Sequence, residues 1–419
     1  MEAKKAWLTW FILALFYSFQ FFLRSSPNAL AIPLMDEFHM DAGTLGVFAS
    51  SYYITYSFFQ IPVGIALDTY GPKTVLRAGT AFCVMGAILF SFASTLPMAL
   101  LGRALIGMGG AVSFIGSIHM TTLWFSPLQL TFAVGLLSSV GKLAGGALAN
   151  AWLPTFIDLA PSWHHVMWGL CAWGSFLSLL IWVFVKNGPS DFFHSSLKGQ
   201  SFGYYKKEFF TVMRSAVVWR MGIFGYALYL SLSVFSDTYS MGFLQQLFGI
   251  SKSSAGKLAS LVMIGSAFGA AVLSYLSGRF KKRRMFLRLS GGLTAFFGGL
   301  IFFCPMHSVA LCGFFLFCLG FFSGGQVLIF IISSENLPAR LSGMAVGATN
   351  AIMMLGGTFH NPLVGEILKF FWDGQKEGAH PVYTLLDYRV AFSSIFIFYL
   401  FSFLIAIRMP ESSFKSPSV

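Results

Sequence analysis

Of 419 residues, 56% are hydrophobic and 10% are charged, against about 25% charged in a soluble domain, which excludes that class. The net charge of +12 would suit nucleic acid, but the cations gather beside the ends of apolar stretches, so no nucleic-acid partner is expected. Twelve spans of about 20 to 25 residues would leave only short loops and no soluble catalytic domain.

Runs without Asp, Glu, Lys or Arg locate the spans, because a helix between lipid and protein is apolar all round. The first covers about 7–33. Lys4-Lys5 leads into it with no small-residue cleavage pattern, so it reads as a span and not a signal peptide. The runs 42–67 and 78–102 follow. The run 104–141 is too long for one helix and breaks near Trp124-Phe125-Ser126-Pro127, the fifth span continuing over 128–153; the sixth covers 159–185. The longest hydrophilic stretch, Asn187 to about Val218, divides the chain into a six-helix half at 1–186, a cytoplasmic linker at 187–218 and a second half at 219–419. That half holds spans at 219–247 and 258–278, two in 289–334 broken near Cys304-Pro305-Met306-His307, and the last two at 341–365 and 388–408. The five cysteines lie in apolar stretches without CxxC spacing, so neither disulfide nor metal site is suggested and no cofactor is expected.

Nineteen of the 27 cations fall on the side of the N-terminus, five on the other and three inside spans. The positive-inside rule then puts both termini in the cytoplasm, as in a bacterial inner (plasma) membrane protein. An internal repeat supports the division into halves. Ala133-Val134-Gly135 followed by Gly145-Gly146 recurs as Ala345-Val346-Gly347 followed by Gly356-Gly357, and Gly109-Gly110 recurs as Gly324-Gly325. Duplicated halves around a midplane site are the architecture of alternating-access transporters.

Between the second and third spans stands Gly64-Ile-Ala-Leu-Asp68-Thr-Tyr-Gly71-Pro-Lys73, preceded by Gln60-Ile-Pro62. With Arg103-Ala-Leu-Ile-Gly107 on the fourth span and Asn350 to Gly365 on the eleventh, the chain resembles the major facilitator superfamily. The resemblance implies an all-α membrane fold of twelve helices in two pseudo-symmetric halves. It also implies gating roles for Gly64, Asp68, Gly71, Lys73, Arg103 and Gly107. Gly64 would let helices approach closely, Gly71 would permit a tight turn, and Asp68 would latch onto the start of the eleventh helix and Arg340. The fifth span lacks the Gly-Pro of the family's drug antiporters, which argues against multidrug export. The first lacks the carboxylate of its proton-coupled sugar carriers and has Arg24 instead.

A charge at the bilayer centre costs about 2.5 to 3.5 kcal/mol on insertion scales, so the embedded cations need partners. Arg24 shares a helix face with Tyr17, Gln20 and Asn28; Lys142 shares one with Ser138 and Ser139. Asp237 on the seventh span lies at a depth comparable with Arg24, and Tyr52, Tyr56, Gln326 and Asn350 complete the expected cavity lining. His119 and His360 read as packing residues. Arg24 gripping a carboxylate and Asp237 an ammonium would suit an amino acid. The Phe22-Leu23-Arg24-Ser25-Ser26-Pro27 segment, with the Asp68 motif, also resembles the phagosomal amino-acid permeases of intracellular bacteria.

The expectation is a monomeric secondary transporter moving a small polar solute, with a proton as the candidate coupling ion and the bilayer as solvent. The alternative is an organic-anion, siderophore or peptide carrier in which both cations bind one anion. No clustered nucleophile, carboxylate pair or HExxH motif supports an enzyme. A transporter-derived sensor would have a longer extension than the nine residues after Pro410.

Overall fold

The computed structural model describes residues 2–125, 127–186, 202–338, 341–377 and 380–409. Six helices form the first half: α1 (Glu2–Phe38), α2 (Ala42–Tyr70), α3 (Pro72–Ser91), α4 (Leu96–Trp124), α5 and α6 (Trp163–Phe184). Within α5, Pro127–Val140 and Leu148–Leu159 flank a π-helical turn at Gly141–Ala147. A short helix, α7 (Phe202–Met213), precedes the second half. There α8 runs through Ala216–Leu230, a π-helical Ser231–Tyr239 and Ser240–Phe248; α9 is Lys252–Phe280 and α10 is Arg283–Phe303. Helix α11 joins Val309–Ser323, a 3-10 turn at Gly324–Val327 and Leu328–Glu335, followed by α12 (Ser342–Phe371) and α13 (Leu385–Arg408). A two-residue hairpin, β1 (Lys376–Glu377) with β2 (His380–Pro381), bridges the last two.

This is an all-α membrane fold in which α1–α6 and α8–α13 supply the twelve spans. Nine of the described helices are apolar enough to be recognised by hydropathy, and α2, α5 and α12 are not among them. Those three pack across the boundary between halves, α2 on α12 and α5 on α9, and so face less lipid. One boundary differs from the sequence reading. The charge-free run 78–102 contains the turn at Phe92–Thr95, so Gly102 belongs to α4, not to the third span. Charge alone could not reveal a turn made of Phe, Ala, Ser and Thr, although Pro97 in the first turn of α4 marks it.

Local chemistry explains the ends. Asp41 caps α2 by accepting from the Thr44 N–H at 2.8 Å, and Thr384 with Asp387 forms a capping box at the start of α13. Gly71 turns the chain between α2 and α3 at φ 81°, with Pro72 opening α3. Lys281 occupies the equivalent turn after α9 and adopts φ 53° without glycine.

The glycine repeat corresponds to matching contacts. A Cβ on Gly145 would meet Ser18 O of α1 at 2.3 Å, and one on Gly356 would meet Tyr226 O of α8 at 3.3 Å. Gly146 faces Met263 of α9, while Gly357 lies against the Tyr53 ring of α2. Fifth and eleventh spans thus each wedge between the first and second helices of opposite halves.

Candidate functional site

The first helix is bent away from regular bonding by its own sequence. Pro27 has no N–H to offer the Leu23 carbonyl one turn earlier, and the Arg103 Nη1 of α4 donates to that oxygen at 2.6 Å, with the Ser26 hydroxyl at 2.8 Å. Arg103 is wholly buried, its guanidinium also within 5.3 Å of the Tyr52 ring centre. It therefore braces α1 from behind and does not line a cavity.

In front of that brace, Arg24 projects between the halves. Its Nε lies 2.9 Å from Asp237 Oδ2 of α8, its Nη1 donates to the Tyr229 hydroxyl, and its Cζ sits 3.9 Å from the Phe21 ring centre. Nη2 has no hydrogen-bond partner among the described residues. Asp237 is 1% exposed, and both its oxygens are engaged: Ser25 Oγ donates to Oδ1 at 2.6 Å and the Tyr53 hydroxyl to Oδ2 at 2.8 Å. Arg24 and Asp237 thus meet across the halves, with Asp237 held behind Arg24.

The cavity itself is about 40 Å³, lined by Tyr17, Gln20, Arg24, Tyr56, Lys142, Gln326 and Asn350 among others. Ligand pockets usually span roughly 300 to 1,000 Å³, so the centre is closed around its polar groups and side chains must move to admit a solute. Lys142 donates to the Ser266 hydroxyl of α9 at 3.1 Å. Tyr52 and Asp237 do not line this space; the Tyr52 hydroxyl accepts from Gln20 Nε2. His360 packs edge-on to Phe398, with Nδ1 2.6 Å from the Tyr226 hydroxyl.

Three departures from α geometry surround the centre. Lys142 lies in the π turn of α5, Asp237 in that of α8, and Gln326 in the 3-10 turn of α11. Wider turns leave backbone carbonyls without their usual amide, and side chains repair them. Asn150 Nδ2 donates to Ser236 O at 3.3 Å and Asn361 Nδ2 to Ser233 O at 3.2 Å. Asn28 Nδ2 adds a bond to Ser236 O at 2.8 Å. The sequence reading missed Asn150, Asn361 and Tyr53. A signal existed for the asparagines, each standing four residues after a paired glycine of the repeat, Gly146 or Gly357.

The proposed gating residues separate into groups. Gly107 meets α2 so closely that a Cβ would lie 2.2 Å from Tyr52 O. Gly64 departs from expectation: a Cβ there would meet no atom within 4 Å among the described residues, so in this state it mediates no close helix approach. The two halves are instead drawn together at the opposite end, where Gly46 approaches Asn361 O and Gly256 approaches Asn150 O. Lys73 sits in the first turn of α3. Arg340 and the Asp68 side chain lie outside the described residues, and so does the latch drawn between them.

Among curated proteins, the chain is 34% identical to the uncharacterised transporter YybO of Bacillus subtilis over 33% of this chain and 32% of that one. It is 24% identical to the probable sulfoacetate transporter SauU of Cupriavidus necator over 71% and 72%. Its fold matches a bacterial homologue of the human lysosomal transporter Spinster, in an inward-facing and unoccupied conformation, with TM-score 0.76 and 14% identity over 96% of each chain. The family described as Major Facilitator Superfamily matches residues 10–359, and with the duplicated twelve-span fold around Arg24 the chain belongs to that superfamily of transporters.

Proposed function

We propose that this transporter carries a small organic anion, gripped at the centre by Arg24 and Lys142, through alternating access of its halves. The observation that carries the reading is the engagement of Asp237. An acid whose oxygens already accept from Ser25 and Tyr53 and pair with Arg24 offers little to a substrate ammonium. The Nη2 of Arg24, without a partner among the described residues, completes a planar fork suited to a carboxylate or sulfonate. The name of SauU as a probable sulfoacetate transporter supports the same chemistry. This favours the anion alternative over the amino-acid expectation. The distribution of cations supports an orientation with both termini in the cytoplasm.

The test compares an amino acid with its matching des-amino acid, and sulfoacetate as a third ligand, by calorimetry on the purified protein. Wild type is expected to bind the anions without needing the ammonium, and Asp237→Asn to shift acid and amino acid in parallel, because freeing Arg24 affects both. Selective loss of amino-acid binding in Asp237→Asn would restore the acid as an amine partner and defeat the anion reading.

A further inference from the structure

Far from the centre, at the end that carries the termini, a groove of about 730 Å³ opens on the outer surface between α10 and α13. Its rim holds Lys281, Lys282, Arg284 and Arg288, and its wall includes Met285 and Leu289, 45% and 36% exposed. No acid is among the described residues lining it. The nearby Glu335 is already paired with Arg283.

Two features show an arranged rim. Arg284 and Arg288, one helical turn apart, each donate Nη2 to Ile407 O of α13, at 2.6 and 3.0 Å, so both guanidinium groups are fixed while each Nε has no partner among the described residues. Lys281 holds a left-handed conformation at φ 53°, where glycine stands in the equivalent turn of the first half. A non-glycine residue is strained there, so the turn carries a cation in spite of its backbone. The start of α10 adds its positive end to the same rim, since Lys282 provides no side-chain cap.

Concentrated positive charge above an apolar wall, at the level of a membrane surface, is complementary to an amphiphile. Inorganic phosphate would satisfy the rim but leave the wall unused. We propose that this groove binds an anionic phospholipid, with its phosphodiester among Lys281, Lys282, Arg284 and Arg288 and an acyl chain along Met285 and Leu289. The site is independent of the transported solute.

Native mass spectrometry of the full chain, titrated with phosphatidylglycerol or phosphatidylcholine, tests the assignment. Wild type should retain phosphatidylglycerol in preference, and Lys281→Gly with Lys282→Gln should reduce its affinity by about thirtyfold, given roughly 1 kcal/mol for each of the two cations at a lipid surface. The glycine relieves the backbone at φ 53°, and the arginines that hold α13 are untouched, so the variant retains the features that build the groove. Arg284→Gln should deepen the loss. Equal retention of both lipids, an unchanged preference in these variants, or inorganic phosphate bound as tightly as the lipid would each overturn the proposal.

Discussion

At the residue scale, the centre depends on one guanidinium. Arg24→Ala removes the charged donor from a closed cavity, and saturable binding of organic anions should fall by at least about thirtyfold, in line with roughly 2 to 5 kcal/mol for truncating a buried charge pair. Arg24→Lys should recover little, because a point charge cannot keep Asp237, Tyr229 and a substrate anion engaged in one plane. Calorimetry reads both, and normal binding by the alanine variant would make Arg24 structural. The stripe Tyr17, Gln20, Arg24 was legible because helical spacing alone determines a face, and an arginine in a span demands a reason. What stayed hidden was who answers it. Tyr53 is one residue from Tyr52 and therefore about 100° around α2, toward α8 and α12, and nothing in the spacing chooses between those faces without knowing where the neighbouring helices stand.

At the element scale, glycine against carbonyl holds the halves together opposite the termini. Adding a Cβ at Gly46 would bring it 2.3 Å from Asn361 O, and at Gly256 2.2 Å from Asn150 O. Overpacking of this kind costs about 1 to 3 kcal/mol. Gly46→Ala and Gly256→Ala should each speed alkylation of a cysteine introduced at Met35, which lines the space at that end, by about tenfold or more in an otherwise cysteine-free protein. A rate like that of the parent would mean the carbonyls yield without parting the helices. Charge-free runs revealed most helices, yet the turns at 141–147, 231–239 and 324–327 left no comparable mark. In a span apolar on every side, a change of helical period does not displace a polar face, so the pattern that would record it is missing.

At the scale of the whole molecule, the closed end also carries surface pairs. Asp41 Oδ2 lies 2.7 Å from Lys369 Nζ, His380 Nδ1 lies 2.8 Å from Asp36, and the Ala42 N–H donates to the Tyr383 hydroxyl at 2.9 Å. Burial favours the neutral form of Asp41, but the Lys369 bond and the Thr44 donors outweigh it and hold its carboxyl below the usual range. A depressed acid supports closure above its ordinary pKa of about 3.9 and loses that support only as pH falls through the depressed value. Closure should therefore be insensitive to pH between about 5 and 8 as far as this pair is concerned. The pair is exposed to solvent, so Asp41→Asn should shift the open fraction by no more than about fivefold at pH 7. Spin-label distances across this end provide the measurement, and a large shift would make Asp41 a principal clasp.

The repair of the first helix by the fourth bears on how the chain enters the bilayer at all. Synthesis delivers α1 first, with the Leu23 oxygen deprived of its amide by Pro27, and the guanidinium that answers it follows 80 residues later. Neither helix is well suited to lipid alone, since one carries an acceptor answered only by its own Ser26 hydroxyl and the other a buried charge. Together they answer the Leu23 oxygen and the Arg103 charge, while Arg24 waits for Asp237 on α8. Stable integration of α1 thus awaits α4, and chains halted after α3 would remain extractable from the membrane when chains halted after α4 do not.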